Sequence, residues 1–232
     1  MSVSLVPLRA PLRIEVCGSR PALDPRVELE WAKACAGNPR LFDGEILAVD
    51  SIDASAGVIH ASPDRFAHVV CPRPERPTEI LSVTGVIEST RDGEPCVLLA
   101  RRGTSTRSYP GMWEFAPAGG LHVPESPSVL DLNGVMRTLR AELAEEVGVT
   151  SPLQDARVVA SVVDRAARSV DIIVRATIGG PAPALSSAGE HAWECAEARW
   201  VAVERVPGFL GSAPGGVIEP TLAVARFLDW AR

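Results

Sequence analysis

The clearest hydrophobic pattern in the chain lies between residues 132 and 147. Apolar residues recur there every three or four positions, which places them on one stripe of an α-helix. The stripe consists of Leu132, Met136, Leu139, Leu143 and Val147. Asp131 or Asn133 is expected to cap the start of this helix, and Gly148 is typical of a helix that ends in a left-handed residue. The pattern therefore predicts an amphipathic helix with one face on a core.

Alternating or continuous apolar runs predict strands on both sides of this helix. The predicted strands are residues 12–17, 45–52, 57–61, 80–88, 95–100, 112–115, 156–163, 169–177 and 194–203. A further helix is predicted from Asp24–Pro25 to residues 37–39, and an amphipathic helix closes the chain at 220–230. Strands around a central helix, with a second helix at the end, fit an α/β/α sandwich with a mixed sheet.

A proline-rich segment, P-R-P-E-R-P at residues 72–77, is interpreted as a stiff linker. It predicts a division into a small α+β N-terminal region, 1–75, and a main domain, 76–232. A region of this size is small for an independent fold. We therefore expect it to pack on the main domain or on a partner chain.

Three carboxylates follow the apolar stripe closely. Glu142, Glu145 and Glu146 are spaced i, i+3 and i+4, so they share one helix face at the shoulder of the stripe. Acidic helix faces are usually solvated surfaces, and the charge pattern alone favours that interpretation. The shoulder position and the upstream pair Gly119–Gly120, predicted as a turn that a ligand can approach, favour a site for a hard divalent cation instead.

Residues 113–149 resemble the Nudix box, G-x5-E-x7-R-E-U-x-E-E-x-G-U, in which U is a bulky aliphatic residue. The end matches as E-L-x-E-E-x-G-V from Glu142, and the beginning matches at Gly120. Ala141 stands where the family has arginine, and about seven residues are inserted before it. We interpret the insertion, residues 125–133, as an enlarged loop that is rich in turn formers.

The resemblance implies the Nudix α/β/α fold and metal-assisted hydrolysis of a diphosphate joined to a second group. It implies that Glu142, Glu145, Glu146 and the carbonyl of Gly120 hold Mg²⁺ or Mn²⁺, with Glu145 also a candidate to orient water. Glu190, in a glycine-containing loop, is the candidate general base. An ordinary exposed loop acid is the alternative interpretation of Glu190.

Substrate contacts are expected from Arg101 and Arg102 to phosphate oxygens and from Tyr109 to a base. The segment N-P-R-L-F-D-G at residues 38–44 resembles a subset of the family that acts on nucleotide sugars. This tilts the expected substrate towards a UDP-sugar or ADP-ribose. The alternatives are a dinucleotide substrate, an inactive Nudix domain that senses a nucleotide, and an interaction domain with an acidic helix.

Composition limits the partners. The net charge of −6 does not favour nucleic-acid binding, which usually requires a basic surface. No apolar run approaches the ~18 residues of a membrane span, and no signal segment is recognised, so a cytoplasmic protein is expected. The five cysteines lack metal spacing and are expected to be buried, reduced thiols. A homodimer is left open.

Overall fold

One mixed β-sheet with helices on both faces forms the protein. The computed structural model describes residues 2–8, 11–73, 75, 77–125, 128–186 and 193–231. The strands are β1 Val3–Val6, β2 Arg13–Val16, β3 Glu45–Asp53, β4 Val58–Arg65, β5 Ile80–Arg91, β6 Glu94–Arg102, β7 Trp113–Phe115, β8 Ala118–Gly120, β9 Ser128–Leu130, β10 Leu153–Asp164, β11 Ser169–Pro181 and β12 Cys195–Ala202. The α-helices are α1 Pro25–Gly37, α2 Phe66–Val70, α3 Leu132–Val147, α4 Val206–Ser212 and α5 Glu219–Phe227.

Strand β5 is the centre of the sheet. It runs parallel to β11 on one edge and antiparallel to β8 and β6 on the other. From one border the strand order is β1-β10-β11-β5-β3-β4-β2-β9. The N-terminal strands β1, β2 and β3 therefore pair with β10, β9 and β5 in the same sheet, while a domain boundary near residue 75 remains a prediction.

The core has two parts, one on each face of the sheet. Helix α3 buries Leu139 and Leu143 on one face against alternate residues of β5, such as Leu81. The other face packs Trp113 and Phe115 against α4 and α5. Burial of each such side chain contributes about 1.5–3 kcal/mol. The predicted α/β/α sandwich with a mixed sheet is confirmed.

Helix α3 has the predicted ends. Of the two candidate N-caps the structure selects Asp131, whose side chain accepts a hydrogen bond from the Gly134 amide at 3.1 Å. Gly148 ends the helix in the left-handed conformation at φ 70°, and its amide donates to the carbonyl of Ala144. These two caps fix where the helix begins and ends, while the packing of its apolar stripe sets its rotation and the direction of its glutamates.

Two local predictions near α3 were wrong. Gly119 and Gly120 do not form a turn, because they are part of β8 and pair with Val83 and Ser82 of β5. The interpretation of residues 125–133 as a loop missed β9, which pairs antiparallel with β2. In both cases backbone pairing with a strand distant in sequence overrides local turn propensity.

The cysteines only partly follow their prediction. All five are free, and Cys71, Cys96 and Cys195 are buried, but Cys17 is exposed and Cys35 is half-buried. Cys17 follows the end of β2 at a Gly-containing bend, so the packing that covers β2 does not extend to it.

None of the helices in the described ranges is long and apolar enough to cross a membrane.

The N-cap gives a stability prediction. Asp131→Ala leaves the Gly134 amide without its acceptor and is expected to lower the melting temperature by about 2–4 °C. Asn133→Ala is the matched control. Asn133 is exposed, and the hydrogen bond described for its side chain is donated to Asp131 rather than accepted from a helix amide. Thermal unfolding followed by circular dichroism measures both. A larger loss for Asn133→Ala than for Asp131→Ala would contradict the assigned cap.

Candidate functional site

A cavity of about 340 Å³ opens on the α5 side of the sheet. Alternate residues of β5 and β11 face it, as expected for neighbouring parallel strands. These floor residues are Ile80, Ser82, Thr84, Ser169, Asp171 and Ile173. Strand β8, the 103–109 segment and the N-terminal region form the walls, and the volume lies in the range of small-molecule sites.

Two glutamates of α3 contact β8, a strand that lines this cavity, although neither glutamate lines it. The amide of Ala118 donates to Oε2 of the buried Glu146 at 3.4 Å. A Cβ on Gly119 would lie only 2.0 Å from Oε1 of Glu142, so the carboxylate packs where only glycine leaves room. Ala118 and Gly119 line the cavity directly. Glu145, in contrast, is exposed on the surface of α3.

A third carboxylate, Glu114, joins Glu142 and Glu146. It comes from β7 and accepts a hydrogen bond from Nη1 of Arg102 at 2.7 Å. Burial raises the pKa of Glu146 well above its ordinary value, and the charges of Glu114 and Glu142 raise it further, while Arg102 opposes them. Burial also raises the pKa of Glu114 against the effect of Arg102. Glu146 and Glu114 thus lie near each other and near the cationic Arg102, and Glu142 lies close to Glu146.

The donor chemistry of this cluster fits a hard divalent cation. Carboxylate oxygens and a backbone carbonyl are the ligands that Mg²⁺ and Mn²⁺ prefer, and the mutual repulsion of three carboxylates is what such a charge removes. Within the described residues, no three His, Cys, Asp or Glu side chains are gathered into a group that could hold a metal ion. The match to a divalent cation therefore lies in the type of donor atom and in the charge, while the described side chains do not form a complete set of ligands.

Sequence reasoning did not identify Glu114 as a site residue. It stands between Trp113 and Phe115, both fully buried, in a short apolar strand. A lone carboxylate in such a strand is a signal, since buried charges are rare unless paired. The same signal applies to Asp171, which lies in the apolar run of β11.

Asp171 is an acceptor on the cavity floor. Ser169 Oγ donates to it at 2.8 Å and Thr84 Oγ1 at 3.3 Å, and the described residues offer it no ion-pair partner. Burial is the largest influence on this carboxyl and raises its pKa to about 6. Neighbouring Asp164 accepts from the Tyr109 hydroxyl at 2.6 Å and from two backbone amides.

The structure brings some of the other predicted site residues to the cavity and leaves others away from it. Gly120, Arg102 and Tyr109 line the cavity. Arg101 does not line it, because its side chain turns to β12 and lies 3.6 Å from a carboxylate oxygen of Glu197. Glu190, the predicted general base, lies outside the described residues.

The fold is similar to that of solved Nudix proteins. The NUDIX domain of Shewanella oneidensis NrtR, complexed with ADP ribose, matches at 18% identity and a TM-score of 0.47 over 70% of this chain and 96% of that chain. The MutT protein of Methanosarcina mazei Go1 matches at 22% identity and 0.45 over 66% and 92%. The Nudix hydrolase RenU of M. smegmatis matches at 17% and 0.45 over 67% and 89%.

Comparison of the chain with protein-family models and with curated proteins finds no match.

The buried carboxyl of Asp171 gives a pH prediction. Its raised pKa means that the folded state disfavours the ionised form, so ionisation costs stability as pH rises from the unfolded pKa of 3.8 through about 6. Asp171→Asn removes this cost and is expected to raise the melting temperature by roughly 2–4 °C at about pH 8, with the difference vanishing near pH 4. Scanning fluorimetry across pH checks this, and an equal difference at both pH values would contradict it.

Proposed function

We propose that the protein is a Nudix pyrophosphohydrolase that requires a divalent metal ion. Its substrate is a nucleoside diphosphate joined through the pyrophosphate linkage to a second group. Water adds to one phosphorus, the bridging P–O bond breaks, and a nucleoside monophosphate and a phosphorylated second group leave. The coupled carboxylates Glu114, Glu142 and Glu146, beside a cavity of substrate size, carry this proposal.

The metal ion is proposed to lie between α3 and β8. Glu142 and Glu146 are its ligands in this proposal, and the carbonyl of Gly120 is a further oxygen donor. When bound, Mg²⁺ or Mn²⁺ withdraws charge from the diphosphate and lowers the pKa of a bound water. Glu145 and Glu190 remain proposals for the residue that orients or deprotonates this water.

Arg102 has two roles in this proposal. It balances part of the charge of Glu114, and its Nε donates to the carbonyl of Ser108 at 2.9 Å, which fixes the guanidinium at the cavity wall. Arg107, which also lines the cavity, holds its guanidinium by donating to the carbonyl of Ala167 at 2.6 Å. Two fixed guanidinium groups suit the recognition of diphosphate oxygens. Arg102 also supplies a positive charge near Glu146, where the family's box arginine is replaced by Ala141.

The second group is proposed to be a sugar, so that the substrate is a nucleotide sugar such as a UDP-sugar or ADP-ribose. Asp171 lines the cavity and accepts from two hydroxyl groups, and an ionised carboxylate has the capacity to accept further hydrogen bonds. Its negative charge disfavours contact with phosphate, whereas sugar hydroxyls donate hydrogen bonds to carboxylates. Ser82 and Ser169 add neutral hydroxyls to the same floor.

Glu146→Gln tests the enzyme assignment. The amide keeps the size of the side chain but removes the charge, so Mg²⁺-dependent turnover is expected to fall by about 100-fold or more with the fold intact. Turnover is measured with UDP-sugars, ADP-ribose, dinucleotides and nucleoside triphosphates, with the products separated by chromatography. Glu204→Gln is the matched control, because Glu204 is exposed and lies outside the cavity.

Release of a nucleoside monophosphate with a sugar phosphate supports the proposal and selects the substrate. Near-wild-type turnover by Glu146→Gln would contradict the assignment of Glu146 as a metal ligand. Absence of turnover by the wild-type chain on every substrate would favour the alternative function, an inactive Nudix domain that senses a nucleotide.

A further inference from the structure

The N-terminal region builds one wall of the cavity. The wall comes from the segment after α1 and from the first residue of α2. Its residues are Asn38, Arg40, Leu41, Phe42 and Phe66, none of which is acidic. The carboxylates that line the cavity, such as Glu114, Asp164 and Asp171, belong instead to strands of the main domain. The cavity is therefore acidic on its floor and aromatic and cationic on this wall.

Contacts to the main domain hold this wall in place. Arg40 donates to Ser105 Oγ at 2.7 Å, and its guanidinium lies 5.0 Å from the ring centre of Trp193. The guanidinium of Arg107 lies 5.8 Å from the ring centre of Phe66. These pairs combine a flat hydrophobic surface with hydrogen-bond donors.

Phe42 is the unusual member of the wall. It is 77% exposed although it is a large apolar residue, and its ring lies against Gly44, where an added Cβ would be 2.8 Å from Cε2. The backbone beneath it is fixed, because Asp43 accepts a hydrogen bond from the Ala67 amide at 3.0 Å and pairs with Arg65. The Phe66 amide also donates to the Gly44 carbonyl at 2.9 Å. A rigid backbone thus presents an uncovered aromatic ring at the cavity mouth.

We propose that the N-terminal region supplies the nucleobase subsite, with Phe42 and Phe66 as stacking surfaces and Arg40 as a donor to base carbonyls or ring nitrogens. This inference rests on the proposed function and assigns one part of that substrate. A base is planar, neutral and rich in acceptors, which suits rings beside guanidinium groups. Stacking is worth about 1–3 kcal/mol per base. The diphosphate then extends towards β8, and the sugar lies over Asp171.

The test measures affinity rather than turnover. Binding of UMP, AMP and inorganic pyrophosphate, each with Mg²⁺, is measured by calorimetry for the wild type and for Phe42→Ala. Loss of the stacking surface is expected to weaken both nucleotides by about tenfold and to leave pyrophosphate, which has no base, unchanged. Because Phe42 is exposed, its truncation does not remove core packing. Phe66→Ala is expected to show the same selectivity.

Two variants control the measurement. Phe227→Ala removes a partly exposed phenylalanine that does not line the cavity, and it is expected to bind all three probes like the wild type. Phe42→Trp keeps a stacking surface and is expected to retain nucleotide affinity.

The inference is overturned if Phe42→Ala binds UMP and AMP as tightly as the wild type, or if it loses pyrophosphate equally. Its failure is distinct from failure of the proposed function. Hydrolysis of a nucleotide sugar with an unchanged KM in Phe42→Ala contradicts the subsite alone. If the wild type hydrolyses no substrate but Phe42→Ala selectively loses nucleotide binding, the proposed enzyme activity is contradicted and the nucleobase subsite is supported.

Discussion

The burial of the Glu146 carboxylate is the constraint on which the site depends. Leu139, Leu143 and Val147 seat α3 on the sheet, and this seating carries Glu146 into the interior beside β8. A buried carboxylate is costly unless it is paired. Here a backbone amide and the charge of Arg102 favour the ionised Glu146, whereas burial and two other carboxylates oppose it. The hydrophobic stripe of α3 therefore supplies the energy that holds Glu146 among these charges.

The sequence predicts the elements whose signals are local. Helix α3 has its stripe and both of its cap residues within the helix and its immediate neighbours. Strand β8 was missed because its two glycines carry little strand propensity, and β9 because it is only three residues long among turn formers. Their pairing partners β5 and β2 lie far away in the chain. The division of the sheet among N-terminal and main-domain strands likewise depends on pairing that no local pattern encodes.

The site follows the same rule. Spacing along one helix was sufficient to propose Glu142 and Glu146, whereas Glu114 becomes their neighbour only when β7 and α3 meet. The aromatic wall depends on contacts between residues far apart in the sequence, since Arg40 and its partner Ser105 are separated by 65 residues. The family resemblance identified two of the carboxylates on which the proposed chemistry depends. The part of the cavity that would select a nucleotide emerged only from the packing of residues 38–66 against the main domain.

Titration with Mn²⁺ tests most directly whether the buried cluster is a metal site. Free Mn²⁺ is counted by electron paramagnetic resonance in solutions of the wild type, Glu146→Gln and Glu204→Gln at neutral pH. The account predicts that the wild type and Glu204→Gln bind the ion alike, and that Glu146→Gln binds it at least about tenfold more weakly. Equal Mn²⁺ affinity in all three proteins, or no binding by the wild type, would contradict it.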